Sequence, residues 1–510
     1  MENNKINQIK AGAILTYLTM GLGFLISVIY TPVMINLLGQ SEYGLYNLAA
    51  SVIAYLGILN FGFGSAYIRY YSRFKIKNDQ NGISMLNGMF VVVFSVIAVI
   101  ALFAGFTLSY FARFVFGDKL SLSEIDTARV LLIILTFNLA IKFPSIVFVS
   151  YIRANERFIF QKLVDLVGII FNPFIILPLL FLGYGSIGMA LAITVISILV
   201  ELVNMRYAFN KLRITFSFKN FDKYLFKEMT VFSSFIFLNM LIDQINWNVD
   251  KFIIGRFHGT IPVAIYSLAA LFNTHYLSIS TAISAVFVPR VHRLVQLNDN
   301  KQILTQLFIK IGRIQFIILS LVLSGFIFFG KPFIIWWAGI EFESSYFIII
   351  ILISSVTIPI IQNIGIEIQR AMNLHKFRSF MYLIIAVLNI GVTIPLVIQF
   401  EGIGAALGTA FAIIFGNGLI MNIYYHKKVG INIILFWKEI IKICPAFIIP
   451  TALGYLYILN FNINEIPFFI FGVIMYSLVF AVSMWYFGMN EYEKDLLLRP
   501  LKVFANKMRR

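Results

Sequence analysis

The 510-residue sequence predicts an all-α polytopic membrane protein with fourteen transmembrane helices: two pseudo-symmetric six-helix lobes, then two C-terminal helices. Three observations carry this prediction. The chain is 60% hydrophobic and 12% charged, whereas a soluble domain is about half apolar and about a quarter charged. Its apolar residues gather into runs of about twenty, the length that crosses a bilayer. The first six runs recur, with their polar punctuation, in the next six.

The runs cover roughly residues 11–38, 43–68, 84–108, 127–151, 159–182, 184–205, 229–256, 260–288, 304–330, 344–369, 377–399, 402–425, 439–460 and 465–488. The polar start "MENNKINQIK" leads into the first run with no small-residue cleavage site, so an uncleaved first span is expected. The single cysteine, Cys444, excludes an internal disulfide. Of the 40 Lys and Arg residues, 33 fall in the tails, loops and adjoining run ends on one side. Arg113, Lys119, Arg129, Arg256 and Lys331 fall on the other, and Lys142 and Lys251 lie within spans. Positive charge marks the cytoplasmic side, so both termini are expected there. The same asymmetry accounts for the net charge of +17 without nucleic acid.

The repeat is legible in particular residues. Gly39, Tyr46, Leu48, Ala49 and Ala50 recur 220 positions on as Gly259, Tyr266, Leu268, Ala269 and Ala270. Arg153, Ala154, Phe160, Asn172, Pro178 and Leu179 recur 217 positions on as Arg370, Ala371, Phe377, Asn389, Pro395 and Leu396, and "SIGMAL" (186–191) matches "GIGAAL" (402–407). The expected organisation is an N-terminal lobe at 1–208, a cytoplasmic amphipathic linker at 209–228, a C-terminal lobe at 229–425, two extra helices at 426–488 and a cytoplasmic tail at 489–510. Parallel repeats of this kind build transporters that open alternately to the two sides.

Charges inside spans cost about 2.5–3.5 kcal/mol each and are functional candidates by default. Lys142, Asp165, Asp243, Asp250 and Lys251 are such groups, with Glu201 and Glu367 nearer the inner ends and His275 deep in a span. In "DQINWNVDK" (243–251), helical spacing puts Asp243, Asn246 and Asp250 on one stripe and Gln244, Asn248 and Lys251 on the next, with Trp247 between them. Such a face suits a watery pathway or a polar partner, not lipid, and Trp247 suits stacking on a sugar. For Asp250 and Lys251 the alternative is snorkelling to the rim. For Lys142 it is an ion pair between helices. Asp243 is also the candidate for coupling to H⁺ or Na⁺. Arg69 and Arg73 after the second run, and Arg290 and Arg293 after the eighth, are candidates for pyrophosphate capture; the alternative is plain topology signalling.

Residues 37–72, "LLGQSEYGLYNLAASVIAYLGILNFGFGSAYIRYYS", resemble the first two helices of bacterial Wzx-type polysaccharide repeat-unit flippases. Residues 248–272 resemble the seventh-to-eighth helix junction of that family, which belongs to the multidrug/oligosaccharidyl-lipid/polysaccharide exporter superfamily. The resemblance implies a fourteen-helix, alternating-access flippase, not an enzyme, in the bacterial cytoplasmic membrane. Its cargo would be an oligosaccharide on polyprenyl pyrophosphate, bound for O-antigen or capsule and handed to polysaccharide polymerase machinery. Relatives often carry Asp where Asn60 stands, which weakens a cation role there. No cofactor, metal or catalytic residue is expected, and no phosphate-binding G-x-x-x-x-G-K-[ST] stretch is present. Rival expectations are a cation-coupled multidrug exporter or peptidoglycan-precursor flippase of the same superfamily, or a membrane polymerase or glycosyltransferase using the same lipid carrier.

Overall fold

The structure, a computed structural model, describes residues 2–219, 222–296, 301–372 and 374–508. The described residues contain helices and no strand, because a helix satisfies its own backbone hydrogen bonds where hydrocarbon offers none. Among the described residues, eleven helical segments are long and apolar enough to cross a membrane. The chain is a multi-pass membrane protein. Two of those segments, Ile14–Ile76 and Phe377–Val429, run to 63 and 53 residues, more than twice the ~20 a span needs. Each contains a backbone break, at Gly39 (φ 74°) and Glu401 (φ 50°) respectively. The expected run at 439–460 is not one helix. Pro445 has no amide hydrogen to donate, and the stretch divides among Ile433–Ile441, a 3₁₀ turn at Cys444–Phe447 and Ile448–Asn460.

The chain forms two compact units: Met1–Ser267 with Ile394–Ala405, and Leu268–Thr393 with Ala406–Arg510. The first contains α1 (Glu2–Leu56), α2 (Phe63–Ile76), α3 (Gln80–Tyr110), the short α4 (Ala112–Phe116), α5 (Leu122–Ala154), α6 (Phe158–Phe181), α7 (Gly185–Asn210) and α8 (Lys223–His258). Their starts are capped as their sequences dictate. The Asp79 carboxylate accepts from the Gly82 amide at 2.8 Å, and Asp222 accepts from the Tyr224 and Leu225 amides. Ser121 and Glu124 form a reciprocal capping box. Glu124 does more: it accepts from Ser41 Oγ and Thr260 Oγ1, each at 2.7 Å. Gly44 is required beside this junction, because a Cβ there would overlap the Thr260 carbonyl. The expected linker is described up to Lys219 and from Asp222. Its 214–217 part is a non-helical strap held to α3, with Ser217 N donating to Ser84 O at 2.9 Å and Asn87 Nδ2 to Thr215 O at 2.8 Å. Beneath it Tyr67, Phe94, Phe143, Val147 and Met229 are buried in one apolar cluster.

The second unit takes most of α9 (Thr260–Gln296), then α10 (Lys301–Ala338), α11 (Ser345–Ile360), α12 (Ile364–Ala371), most of α13 (His375–Ile413) and the helices beyond. Phe329, Tyr476, Phe480 and Met484 form one of its apolar clusters. A charged anchor sits beside that packing. Arg313 is 3% exposed and makes a bidentate pair with Glu493, at 2.7 and 3.0 Å. Its remaining donors reach the Glu439 and Gly488 carbonyls at 2.7 and 2.8 Å.

The backbone carries the sequence repeat into conformation. Gly39 and Gly259, matched in sequence, have φ 74° and 83°, and Gly117 and Gly339 have φ 79° and 102°. With ψ near ±160° these are values that essentially only glycine adopts. The match of "SIGMAL" to "GIGAAL" sets Glu401 opposite Gly185, and both have positive φ, 50° and 54°. A side chain in such a conformation costs of order 1–3 kcal/mol. One break has no counterpart: α1 and α2 are separated at Phe61 and Gly62, whereas the matching residues, Thr281 and Ala282, lie inside the continuous α9.

Removing one partner of a buried ion pair costs about 3–5 kcal/mol. Glu493→Ala should therefore lower the thermal stability of the purified protein sharply, whereas Glu491→Ala, at a side chain 97% exposed, should leave it unchanged. Equal melting of the two variants would contradict the anchor.

Candidate functional site

The unmatched helix break builds the site. After Leu56 the backbone tightens into a 3₁₀ turn, Gly57–Asn60, then passes through two left-handed residues, Phe61 (φ 49°) and Gly62 (φ 70°), before α2 starts at Phe63. Asn60 Oδ1 accepts from the Gly62 amide at 2.7 Å, an Asx-type turn that stabilises the break. Gly62 must lack a side chain, because Ile236 of α8 fills the place of its Cβ. The Phe61 ring stacks on Phe237 with centroids 4.7 Å apart. The break is thus locked to α8 on one side.

Beyond it lies a cavity of about 520 Å³, wholly within the first unit. The break contributes Gly57, Asn60 and Gly62, and the start of α2 contributes Gly64 and Ser65. Helix α5 presents Leu139, Lys142, Phe143, Ile146, Ser150 and Arg153. With Val149 these positions recur every three to four residues, at 139, 142/143, 146, 149/150 and 153, so one face of the helix lines the cavity. Glu201 comes from α7, and Ile236 and Met240 come from α8. Lys142 is exposed although it lies inside an apolar helix. Arg153 Nε donates to Gln161 Oε1 at 3.2 Å, and Gln161 Nε2 reaches the Val149 carbonyl at 3.3 Å, which fixes that end of the wall. Glu201 Oε2 is buried without a hydrogen-bond partner among the described residues. Two cations, one carboxylate, an amide and two hydroxyls converge on apolar walls. That arrangement can hold a polar, anionic group away from hydrocarbon.

The other residues singled out in the sequence are placed as follows. Asp165 pairs with Lys162 at 3.2 Å on α6, with half its side chain exposed. On α8, Asp243 and Trp247 are exposed, and Asn246 and Lys251 are half-buried. Asn248 Nδ2 donates to Gln244 Oε1 at 2.5 Å. Asp250 is 1% exposed and accepts from the Tyr266 hydroxyl. The cavity's α8 residues, Ile236 and Met240, precede this polar stretch, and Lys142 is the member of the predicted pathway set that lines the cavity. Arg69 lies over the Phe232 ring at 4.5 Å and Arg73 pairs with Glu228 at 3.5 Å, so both join α2 to α8. Arg290 and Arg293 are exposed near the end of α9. Glu367 pairs with Arg370 at 2.7 Å, and His275 is half-buried. Ser65 and Ser150 were not singled out, because a lone hydroxyl in an apolar helix reads as packing. The glycines of "FGFG" (61–64), beside Asn60, are the sequence signal that could have found this wall.

The fold recurs in solved transporters. The chain is similar to lipid II flippase MurJ in an inward closed conformation, at 18% identity over 96% of this chain and 99% of that one, with a TM-score of 0.74. It is also similar to an inward-facing multidrug resistance MATE family transporter of the MOP superfamily, at 14% identity over 85% and 99%, TM-score 0.63. A Vibrio cholerae MATE transporter, VcmN, aligns at 14% identity over 85% and 100%, TM-score 0.58. No curated protein matches the sequence significantly. The family model described as "Polysaccharide biosynthesis protein" matches residues 9–295, more than half of the chain, which therefore belongs to the polysaccharide biosynthesis protein family.

Proposed function

We propose that this protein moves polyprenyl-pyrophosphate-linked oligosaccharide repeat units from the inner to the outer leaflet of the bacterial cytoplasmic membrane, by alternating access, for surface polysaccharide assembly. The observation that carries the reading is the cavity with Lys142 and Arg153 open to it. An ammonium and a guanidinium exposed inside apolar helices need water or an anion beside them, and a pyrophosphate supplies the anion. Membership of the polysaccharide biosynthesis family supports the sugar. In this reading the chain crosses the membrane fourteen times, as two six-helix lobes and two further helices, with both termini cytoplasmic. The paired positive-φ residues at Gly39 and Gly259 and at Gly185 and Glu401 support the repeat. The protein works as a transporter and not as an enzyme. An inside-negative potential would draw net negative charge outward, at about 2.3 kcal/mol per charge per 100 mV, and Asp243 is the carboxylate proposed to couple H⁺ or Na⁺. A second reading, flipping of a peptidoglycan precursor, is favoured by the TM-score of 0.74 to a lipid II flippase over 96% of the chain.

Deletion in the host tests the reading. The expected result is accumulation of complete lipid-linked repeat units on the inner leaflet with loss of surface polysaccharide. Arrested cell-wall synthesis with normal surface polysaccharide would favour the peptidoglycan precursor, and lost drug tolerance alone would favour a drug exporter. A hydrogen bond to a charged group contributes about 1.5–3 kcal/mol. Lys142→Ala and Arg153→Ala should therefore each cut export about tenfold or more, read as restoration of surface polysaccharide in the deletion strain. Full restoration by both variants would contradict the proposed role of the cavity. A reporter fused after Arg510 should be active only as a cytoplasmic fusion; periplasmic activity would overturn the topology.

A further inference from the structure

Resting on the reading of the cargo as a polyprenyl pyrophosphate, we propose that a groove between α6 and α7 seats the isoprenoid tail while the pyrophosphate occupies the charged cavity. The groove has a volume of about 540 Å³ and is lined entirely by apolar residues. Leu163, Val167, Gly168 and Phe171 contribute from α6, and Val200 and Val203 from α7. It is open along its length: Leu163, Val167, Phe171 and Val203 are 46%, 50%, 54% and 46% exposed.

Two observations name the occupant. The first is continuity with the cavity. Val200, Glu201 and Val203 lie within one turn of α7, with the valines in the groove and the carboxylate in the cavity. At the start of α6 the groove begins at Phe160, next to Gln161, which holds the cavity's Arg153 at 3.2 Å. A ligand with an anionic head and an apolar tail fits that juxtaposition, and a ligand with only one of these parts leaves half of it unused. The second is length. From Phe160 to Ile175 the groove follows α6 for about 22 Å at 1.5 Å per residue. One leaflet of a bilayer's hydrocarbon is about 15 Å deep, so a tail that follows the whole groove runs past the bilayer midplane, as a polyprenyl chain can. Gly168 opens its floor, since a Cβ there would meet only Val200, at 3.9 Å.

Lipid tails are as apolar as the groove, so preference for one chain over another comes from packing and not from escape from water. The test therefore reads position. Full-length protein in phosphatidylglycerol-containing nanodiscs is photolabelled with a diazirine-bearing undecaprenyl pyrophosphate and the labelled peptides are mapped. The expected result is labelling within 160–175 and 196–203 that excess undecaprenyl pyrophosphate removes and excess phosphatidylglycerol does not. Gly168→Trp, which fills the floor, should reduce it about tenfold or more, while binding of geranyl pyrophosphate stays at the wild-type level. Gly168→Ala is the folding control and should keep full labelling. Labelling elsewhere, labelling removed by phosphatidylglycerol, or unchanged labelling in Gly168→Trp would each overturn the tail seat alone. Failure of the wild-type protein to bind either pyrophosphate would overturn the substrate class and the seat with it.

Discussion

Hydrocarbon provides no hydrogen-bond partners, and that constraint orders everything else in this protein. It makes the backbone helical, and it forces each polar group within a span either onto a partner or into water. Arg313 takes the first course, with a carboxylate and two carbonyls around its guanidinium. Glu124 takes it as well, collecting two hydroxyls from different helices. Lys142 is instead exposed, in a cavity that it shares with Glu201.

The cavity exists because one helix pair departs from the repeat. Turns marked by Gly39 and Gly259, or by Gly185 and Glu401, are shared between the halves. The break at Phe61 and Gly62 is not, since its counterpart runs on through α9. The matched positions share a backbone turn, and the unmatched break brings polar groups to a turn that the counterpart helix lacks. The same departure brings Asn60, Gly64 and Ser65 to the cavity that the Lys142 face of α5 also lines. Helix α7 then serves two surfaces, with Glu201 toward polar groups and Val200 and Val203 toward an apolar groove.

Much of this was legible in the residues. Apolar runs gave the membrane-spanning class, and matched Gly, Asn and Pro residues gave the repeat whose turns recur in the backbone. Lys142 stood out because a cation in an apolar run has few explanations. The polar stretch of α8 was equally visible, yet its surroundings were not, because helical spacing tells which residues share a face and not what that face meets. Asp250 shares its stripe with Asp243 but is buried against Tyr266, whereas Asp243 is exposed. Arg153 drew notice only through the repeat, and Ser65 and Ser150 drew none, since a serine in hydrophobic surroundings looks the same whether it packs or lines water. The interruption at 439–460 is hidden by its apolar composition.

The central claim is that the cavity around Lys142 holds water inside the span. Thiol alkylation requires the hydrated thiolate, so reactivity reads water directly. In a background with the exposed Cys444 replaced by Ser, Ser65→Cys should react with a charged, membrane-impermeant maleimide at a rate near that of a loop cysteine. Phe103→Cys, at a position 73% exposed in the apolar helix α3, should stay unreactive. A Ser65→Cys as inert as Phe103→Cys in the membrane, and reactive only after unfolding, would show a dry site and contradict the account.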